Sequence, residues 1–374
     1  MLLLLISVER SICMIDFTLN DFTQIEIKKH LVTTEKLLSR VVTKVSGTQK
    51  EATIYVLPDL GIASNKARML GGFYTGLVAS WNTAVPIIPV DATVNSCGVS
   101  VFKLKQHLTS SQFSQAIHAT IPLAREKGFF WNFNVGNHFI IIGELSNGEP
   151  CVVLHASAQE FKKGNMQEGL YPEKGNWYFD DIETEFLEER FLRFISGKKA
   201  ERFFEIAEKV KIYNQERHRL VAHFLFGDNL GGEMLNIQHY GMPSQNSVAI
   251  GCSWEGGAIP LLTAPNQKIY LVDPIKGGDN TITLKEERVL FPHGLGVYSK
   301  TGGIITYSQN DISVFGNRSE DTLTKPAVAI RCSDSSEIEL DSMVKQITTI
   351  CPATILDYIK PAHTYSKTET LLSA

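Results

Sequence analysis

The sequence has few cysteines, no internal repeat and no low-complexity tract, and each shortage excludes a class of structure. Six cysteines in 374 residues lack the dense spacing of a disulfide framework, so we expect a reducing, cytoplasmic setting. Without repeats or biased segments, solenoids and long linkers are excluded. Lys and Arg number 36 against 40 Asp and Glu, so no basic excess favours a broad nucleic-acid interface, although a local basic groove is compatible with this balance.

The beginning of the chain lacks the features of a signal peptide or a membrane span. Residues 1–8 are apolar, but they carry no basic region and no small-residue cleavage pattern, and they are too few to cross a bilayer. We expect residues 1–13 to be a non-native or disordered start, with Met14 as the alternative initiator. Residues 14–374 should form a single domain, since 43% hydrophobic content supports an extensive core.

Short β-rich segments and longer amphipathic segments succeed one another without regular alternation. Helical periodicity predicts helices near residues 110–127, 200–226 and 342–359. No glycine-rich fingerprint joins a strand to a helix, so the sequence does not support a Walker or Rossmann nucleotide site. The pattern therefore indicates an α+β protein with a mixed, strand-rich core around a central site. The predicted strands include residues 53–57, 139–142, 151–154, 269–272 and 328–330.

Four histidines and one cysteine occupy positions that are typical of functional side chains. His138, His155, His239 and His293 each adjoin a predicted strand end or a glycine turn. A thiolate from Cys97 with several imidazoles would suit zinc, manganese, iron or cobalt, and a thiolate can bridge two ions. No compact CxxC or HExxH spacing supports this set, and a single histidine is more often a hydrogen-bonded core or loop residue.

Six short motifs follow one another in the part of the chain between residues 50 and 367. They are Leu-Pro-Asp-Leu-Gly (57–61), Asn-Ser-Cys-Gly-Val (95–99), Val-Gly-Asn-His-Phe (135–139), Val-Leu-His-Ala-Ser (153–157), Gln-His-Tyr (238–240) and His-Gly-Leu-Gly-Val-Tyr-Ser-Lys (293–300). As an ordered set they resemble the signature motifs of the RtcB-type RNA-splicing ligase family. Members of that family use GTP and manganese to join RNA 3'-phosphate or 2',3'-cyclic phosphate ends to 5'-hydroxyl ends.

The resemblance implies an RtcB-like fold around a central metal site and gives roles to individual residues. One or two Mn²⁺ ions would be held by Cys97, His138, His155 and His239. His293 would be the nucleophile that receives GMP, because a neutral imidazole is nucleophilic near neutral pH. The guanosine nucleotide would be bound by Asn137, Gly294, Gly296 and Lys367. RNA ends would be the substrate of a monomeric, cytoplasmic RNA-processing or repair enzyme that has no contact with a membrane.

The sequence also departs from the family pattern at several positions. Val94 stands where the family has an aspartate metal ligand, and Asn95 or Asp91 are the candidates to replace it. Gln159 stands where the family has an arginine that can clamp a phosphate. Near Trp254 the family has Arg-Lys-Gly where this sequence has Glu255-Gly256-Gly257, so an acid replaces two cations.

Three functions are compatible with this combination of matches and departures. The first is RNA ligation through a guanylylated His293. The second is a relative that binds metal and nucleotide but has lost ligation. The third is a metal-assisted phosphohydrolase in which water replaces the 5'-hydroxyl group. We expect the first, because His293 and its glycines would have no purpose in a simple binding module.

Overall fold

A computed structural model describes residues 14–63, 65–264, 266–277, 283–284, 288–299, 304–308, 311–315, 328–332 and 336–368. The expected start over residues 1–13 lies outside the described residues. Within them the protein is a mixed α+β structure rich in strands, as predicted. The described helices are α1 (Phe22–Ser46), α2 (Lys66–Leu70), α3 (Ser110–Glu126), α4 (Gly197–Phe226) and α5 (Glu337–Ile350). None of the described helices has the length and apolar character needed to cross a membrane.

The described strands belong to several sheets of different size. In chain order they are β1 (Ile15–Asp16), β2 (Ala52–Gly61), β3 (Thr75–Trp81), β4 (Ile87–Pro89), β5 (Gly98–Leu104), β6 (Phe139–Leu145), β7 (Pro150–Ala156), β8 (Glu183–Leu187), β9 (Arg190–Ser196), β10 (Leu230–Gln238), β11 (Tyr240–Ser244), β12 (Ser247–Ile250), β13 (Cys252–Ser253), β14 (Ile259–Leu261), β15 (Ile269–Pro274), β16 (Thr283–Leu284), β17 (Arg288–Val289), β18 (Phe291–Pro292), β19 (Val297–Ser299), β20 (Ile304–Ser308), β21 (Asp311–Phe315), β22 (Val328–Ile330) and β23 (Ala353–Ser366). All five segments predicted as strands lie in strands.

Two large sheets dominate the fold. One has five strands in the order β1-β2-β3-β12-β11, and the other has seven in the order β10-β5-β7-β6-β23-β15-β14. A three-stranded sheet, β4-β9-β8, and four two-stranded pairs complete the described part. Since β10 belongs to the larger sheet and the next strand, β11, to the smaller one, the chain passes directly from one sheet to the other at residue 239.

Helix α4 connects the two sheets through its two ends. Phe203, Ile206 and Val210 pack into the core beneath the five-stranded sheet and α1. Val221 and Leu225, further along the same helix, pack with α3 against one face of the seven-stranded sheet. Helix α5 covers the opposite face of that sheet. The predicted helices near residues 110–127 and 200–226 are therefore confirmed, and each has a clear packing partner.

The third helix prediction is wrong over its second half. Helix α5 begins at a capping box formed by Ser336 and Glu339 and ends at Ile350, and residues 353–366 form β23 instead. Pro352 accounts for the change, because a proline disfavours the helical conformation of the residue before it. The following β-branched residues then pair with β6 and β15 in the centre of the seven-stranded sheet.

Candidate metal centre

Three of the four predicted metal ligands meet where the two large sheets adjoin. Cys97 directly precedes β5, His155 lies near the end of β7, and His239 is the single residue between β10 and β11. The register pairs Val99 with His155 and Gly98 with Gln238, so the strand order brings the three residues to one end of the sheet. The backbone N–H of His239 donates to the carbonyl oxygen of Cys97 at 3.0 Å.

The donor atoms of these three residues are spaced as a single ion requires. Cys97 Sγ lies 3.1 Å from His155 Nε2, which lies 3.3 Å from His239 Nε2. All three donors lie within 4.8 Å of one another, and all three residues are buried. Two nitrogens bound to one tetrahedral ion at 2.0 to 2.1 Å would be about 3.4 Å apart, so the spacing fits a common metal ion. We call Cys97, His155 and His239 the triad.

The ring orientations leave ligand lone pairs facing the centre of the triad. His155 Nδ1 donates to the carbonyl oxygen of Asn137 at 3.1 Å, which leaves Nε2 as the unprotonated nitrogen. Burial and the neighbouring histidines lower the pKa of His155 and of His239 well below the usual value. Both imidazoles are therefore neutral near pH 7 and able to bind a cation. Burial raises the pKa of the Cys97 thiol to about 12, so this ligand is protonated before a metal binds.

The affinity of the triad for a divalent ion should rise about tenfold for each pH unit between pH 6 and pH 8. Only the Cys97 thiol has to lose a proton, because burial already keeps His155 and His239 neutral. Proton release favours binding as pH rises. Competition with a chelator of known pH dependence measures the slope, and a slope near zero or near three would contradict this protonation scheme.

His138, the fourth predicted ligand, adjoins the triad but does not belong to it. Its ring centroid lies 5.6 Å from that of His155, yet its Nε2 lies 3.2 Å from Ser157 Oγ. His138 Nδ1 donates to the carbonyl oxygen of Asn132 at 3.0 Å, so Nε2 is unprotonated and accepts a hydrogen bond from the Ser157 hydroxyl group. Burial and the charge of Lys162 lower the pKa of His138 to about 3, which keeps its ring neutral.

Neither candidate replacement for the missing aspartate faces the triad. Asp91 receives two hydrogen bonds from Arg193 and is buried in that ion pair. The side-chain oxygen of Asn95 accepts the backbone N–H of Cys97 at 3.0 Å. Val94 itself is buried among apolar residues. The described residues around Cys97 therefore supply one three-donor group.

His293, the predicted nucleophile, lies beside the triad on the side of the five-stranded sheet. Its ring centroid is 4.9 Å from that of His239. His293 Nδ1 donates to Asp59 Oδ2 at 2.7 Å, and Asp59 is fully buried within β2. Burial raises the pKa of the Asp59 carboxyl group, whereas the hydrogen bond and charge of His293 lower it. Since Nδ1 carries the proton, Nε2 is left as the nucleophilic nitrogen.

Glycines allow the backbone to approach the Asp59–His293 pair closely. Gly251 has a φ of 69°, and a Cβ there would lie 2.9 Å from His293 Cε1. Gly296 has a φ of 80°, and a Cβ there would collide with the carbonyl oxygen of Asp59 and with Arg331. Gly294 is also tightly packed, since its Cβ would lie 2.8 Å from the carbonyl oxygen of Leu262. The motif glycines therefore support the position of His293 through packing.

Gly296→Ala should destabilise the protein by about 1 to 3 kcal/mol more than Gly148→Ala. Both glycines have positive φ, so both variants carry the cost of a left-handed alanine, about 1 to 2 kcal/mol. Only Gly296 has Asp59 and Arg331 in the way of a new methyl group, because a Cβ at Gly148 would have no atom within 4 Å. Urea unfolding measures both free energies. Equal losses would show that the packing around Asp59 is loose.

The remaining residues predicted to bind nucleotide lie further from the triad donors. The side chain of Asn137 is exposed, and its contribution to the centre is the backbone carbonyl that orients His155. Lys367 is exposed directly after β23 and has no contact with the triad among the described residues. The last motif continues to Lys300, which lies outside the described residues.

Sequence reasoning assigned no role to two residues that the structure places at the centre. Asp59 lies within the first motif and could have been recognised as a carboxylate inside an otherwise apolar strand. Lys162 donates to Ser157 Oγ at 2.6 Å, five residues away in the chain. Nothing in the sequence around Lys162 distinguishes it from its neighbour Lys163, which is exposed.

Comparison with protein-family models and with curated proteins gave no match to this chain.

Proposed function

We propose that this protein is an RNA ligase of the RtcB type that transfers GMP from GTP to His293. The single observation that supports this most strongly is the position of His293, whose ring is 4.9 Å from that of His239 and whose Nδ1 is held by Asp59. A histidine oriented by a buried carboxylate beside a metal-ligand group has the geometry of an activated nucleophile. The ordered sequence motifs supply the choice of GTP and RNA.

The donor set of the triad suits a divalent ion that binds both nitrogen and sulfur. One thiolate and two imidazoles can be completed by water or by a phosphate oxygen, which leaves an open position for a substrate. When bound, such an ion supplies positive charge that stabilises phosphoryl transfer. We propose Mn²⁺, on the strength of the family resemblance. A reducing compartment keeps a thiol ligand in its reduced form, and we therefore propose a cytoplasmic location.

The proposed reaction begins with the transfer of GMP from GTP to His293. His293 Nε2 attacks the α-phosphorus of GTP, the new N–P bond forms, and the bond to the departing pyrophosphate breaks. Asp59 keeps the proton on Nδ1 and stabilises the positive charge that develops on the ring. GMP would then pass to an RNA 3'-phosphate, so that the N–P bond to His293 breaks as a P–O bond to the RNA forms. Attack of a 5'-hydroxyl group on the RNA phosphate would break its bond to GMP, join the ends, and release GMP and a proton to solvent.

A second candidate function is favoured by the position of His138. Its Nε2 is engaged by Ser157, and the buried Val94 offers no ligand, so the described site provides for one ion. A relative that binds metal and nucleotide without ligating RNA would need no more than this. In that case the protein would contain metal but acquire no covalent GMP.

Incubation of the full chain with Mn²⁺ and GTP labelled at the α-phosphate, followed by denaturing electrophoresis, tests the proposal. We expect a covalent label on the protein, and joining of RNA with a 3'-phosphate end to RNA with a 5'-hydroxyl end. Metal content without a label would support the ligation-deficient relative. Release of inorganic phosphate without a label would support a phosphohydrolase.

A further inference from the structure

A hydrogen-bonded chain of three side chains, Lys162, Ser157 and His138, adjoins the triad at His155. Lys162 Nζ donates to Ser157 Oγ at 2.6 Å, and the Ser157 hydroxyl donates to His138 Nε2, 3.2 Å away. His138 is fixed from behind by its hydrogen bond to the Asn132 carbonyl oxygen. Both Ser157 and His138 are buried. The ammonium group is therefore held in a defined position beside the triad.

The charges around this chain do not balance, although Lys162 is half-buried and Arg217 is buried. Lys162 and Arg217 are both cations in this region, and Arg217 is only 1% exposed. Glu160 lies 3.6 Å from Arg217, and its other oxygen accepts from Tyr213 and from the Phe130 backbone. Among the described residues no carboxylate lies within ion-pair distance of Lys162. Because burying an uncompensated charge is costly, the arrangement favours an anion at this position.

We propose that Lys162 binds a phosphate oxygen of the substrate next to the metal of the triad. The inference rests on the proposed function, since it takes the triad to hold a metal ion and the substrate to carry a phosphoryl group. A single phosphate group would then be shared between the open position of the ion and the Lys162 ammonium. Lysine is a common phosphate ligand because its compact charge forms charge-assisted hydrogen bonds.

This role would compensate for one departure in the sequence. Gln159 stands where the related motif has an arginine that can bind a phosphate. Lys162, three residues further along the chain, provides a cation instead. The Ser157 hydroxyl donates to His138 Nε2, so this nitrogen is not available to bind a second ion. It instead orients Ser157, which accepts a hydrogen bond from Lys162. The centre would thus act with one metal ion and one fixed ammonium group.

Binding of inorganic phosphate to Mn²⁺-loaded protein tests the assignment, with titration calorimetry as the measurement. Lys162→Met should weaken phosphate binding by about tenfold to a hundredfold, the usual range for a hydrogen bond to a charged group. Lys162→Arg should retain most of the affinity. Metal content by elemental analysis should stay at the wild-type value in both variants, because the triad is unchanged. Lys163→Met, at the exposed neighbouring lysine, is the matched control and should bind phosphate normally.

Chemical labelling of the wild-type protein gives a second test that does not depend on how a variant folds. Phosphate together with Mn²⁺ should slow the acetylation of Lys162 by acetic anhydride and leave the acetylation of Lys163 unchanged. The proposal is overturned if phosphate does not protect Lys162, if Lys162→Met binds phosphate like the wild type, or if the wild type binds none. Phosphate binding that depends on Lys162 in a protein that acquires no GMP would support this inference while refuting the ligase function.

Discussion

His293→Ala protein should acquire no detectable covalent GMP under conditions in which the wild type is labelled. The variant lacks the only atom that the proposed mechanism uses to attack the nucleotide, His293 Nε2, so the loss should be complete. The triad should keep its metal, since none of its donors is a hydrogen-bond partner of His293 among the described residues. Labelled GTP, denaturing electrophoresis and elemental analysis measure the two properties on the same preparation.

Two further variants make this prediction specific. His118→Ala, at an exposed histidine of α3, controls for the loss of an imidazole and should be labelled like the wild type. Asp59→Asn removes the carboxylate that orients His293 and should slow labelling by about a hundredfold or more. A label that persists in His293→Ala protein would place the nucleophile elsewhere and refute the assignment.

Cys97→Ala protein should lose the bound metal ion, with an affinity at least about a hundredfold weaker than that of the wild type. The thiolate is the only anionic donor of the triad, and its removal leaves two neutral imidazoles in a buried site. Cys151→Ala is the matched control, because Cys151 is a fully buried cysteine of β7 that lies outside the triad. It should retain metal despite some loss of stability.

Elemental analysis after dialysis measures metal content in both cysteine variants. Thermal unfolding adds a second measurement, because a metal that binds only the folded state raises the melting temperature. Added Mn²⁺ should therefore raise the melting temperature of the wild type and of Cys151→Ala but leave that of Cys97→Ala unchanged. Full metal content in Cys97→Ala protein would show that the triad is not the metal site.

Site residues could be predicted from the sequence where they belong to short motifs that contain Cys or His. Cys97, His155 and His239 were predicted as metal ligands, and the structure brings these three residues together in one buried group that could hold an ion. His138 could not be separated from His155, because both follow the same kind of pattern and only tertiary contacts decide which nitrogen faces the centre. In the structure Ser157 donates to His138 Nε2, and Lys162 donates to the same Ser157 oxygen.

Fold prediction succeeded where local patterning and tertiary packing agree. Helix α4 has strong periodicity and buries one face along its length, so its bounds were close to those observed. Helix α1 was not predicted from the sequence, although Asp21 caps it and Gly47 ends it in a left-handed conformation. The amphipathic pattern after Pro352 fits a partly buried strand as well as a helix, and a short segment does not separate the two by composition.

The passage of the chain between the two sheets at His239 has a consequence for the order of assembly. Cys97 and His155 can come together once the first strands of the larger sheet have paired, but the site stays incomplete until the ribosome has released His239. An ion bound there would tie an early part of the polypeptide to a late one, reducing the conformational freedom of everything between them. If Mn²⁺ binds the triad, it should therefore bind during refolding only after both sheets have formed, and it should then slow their separation.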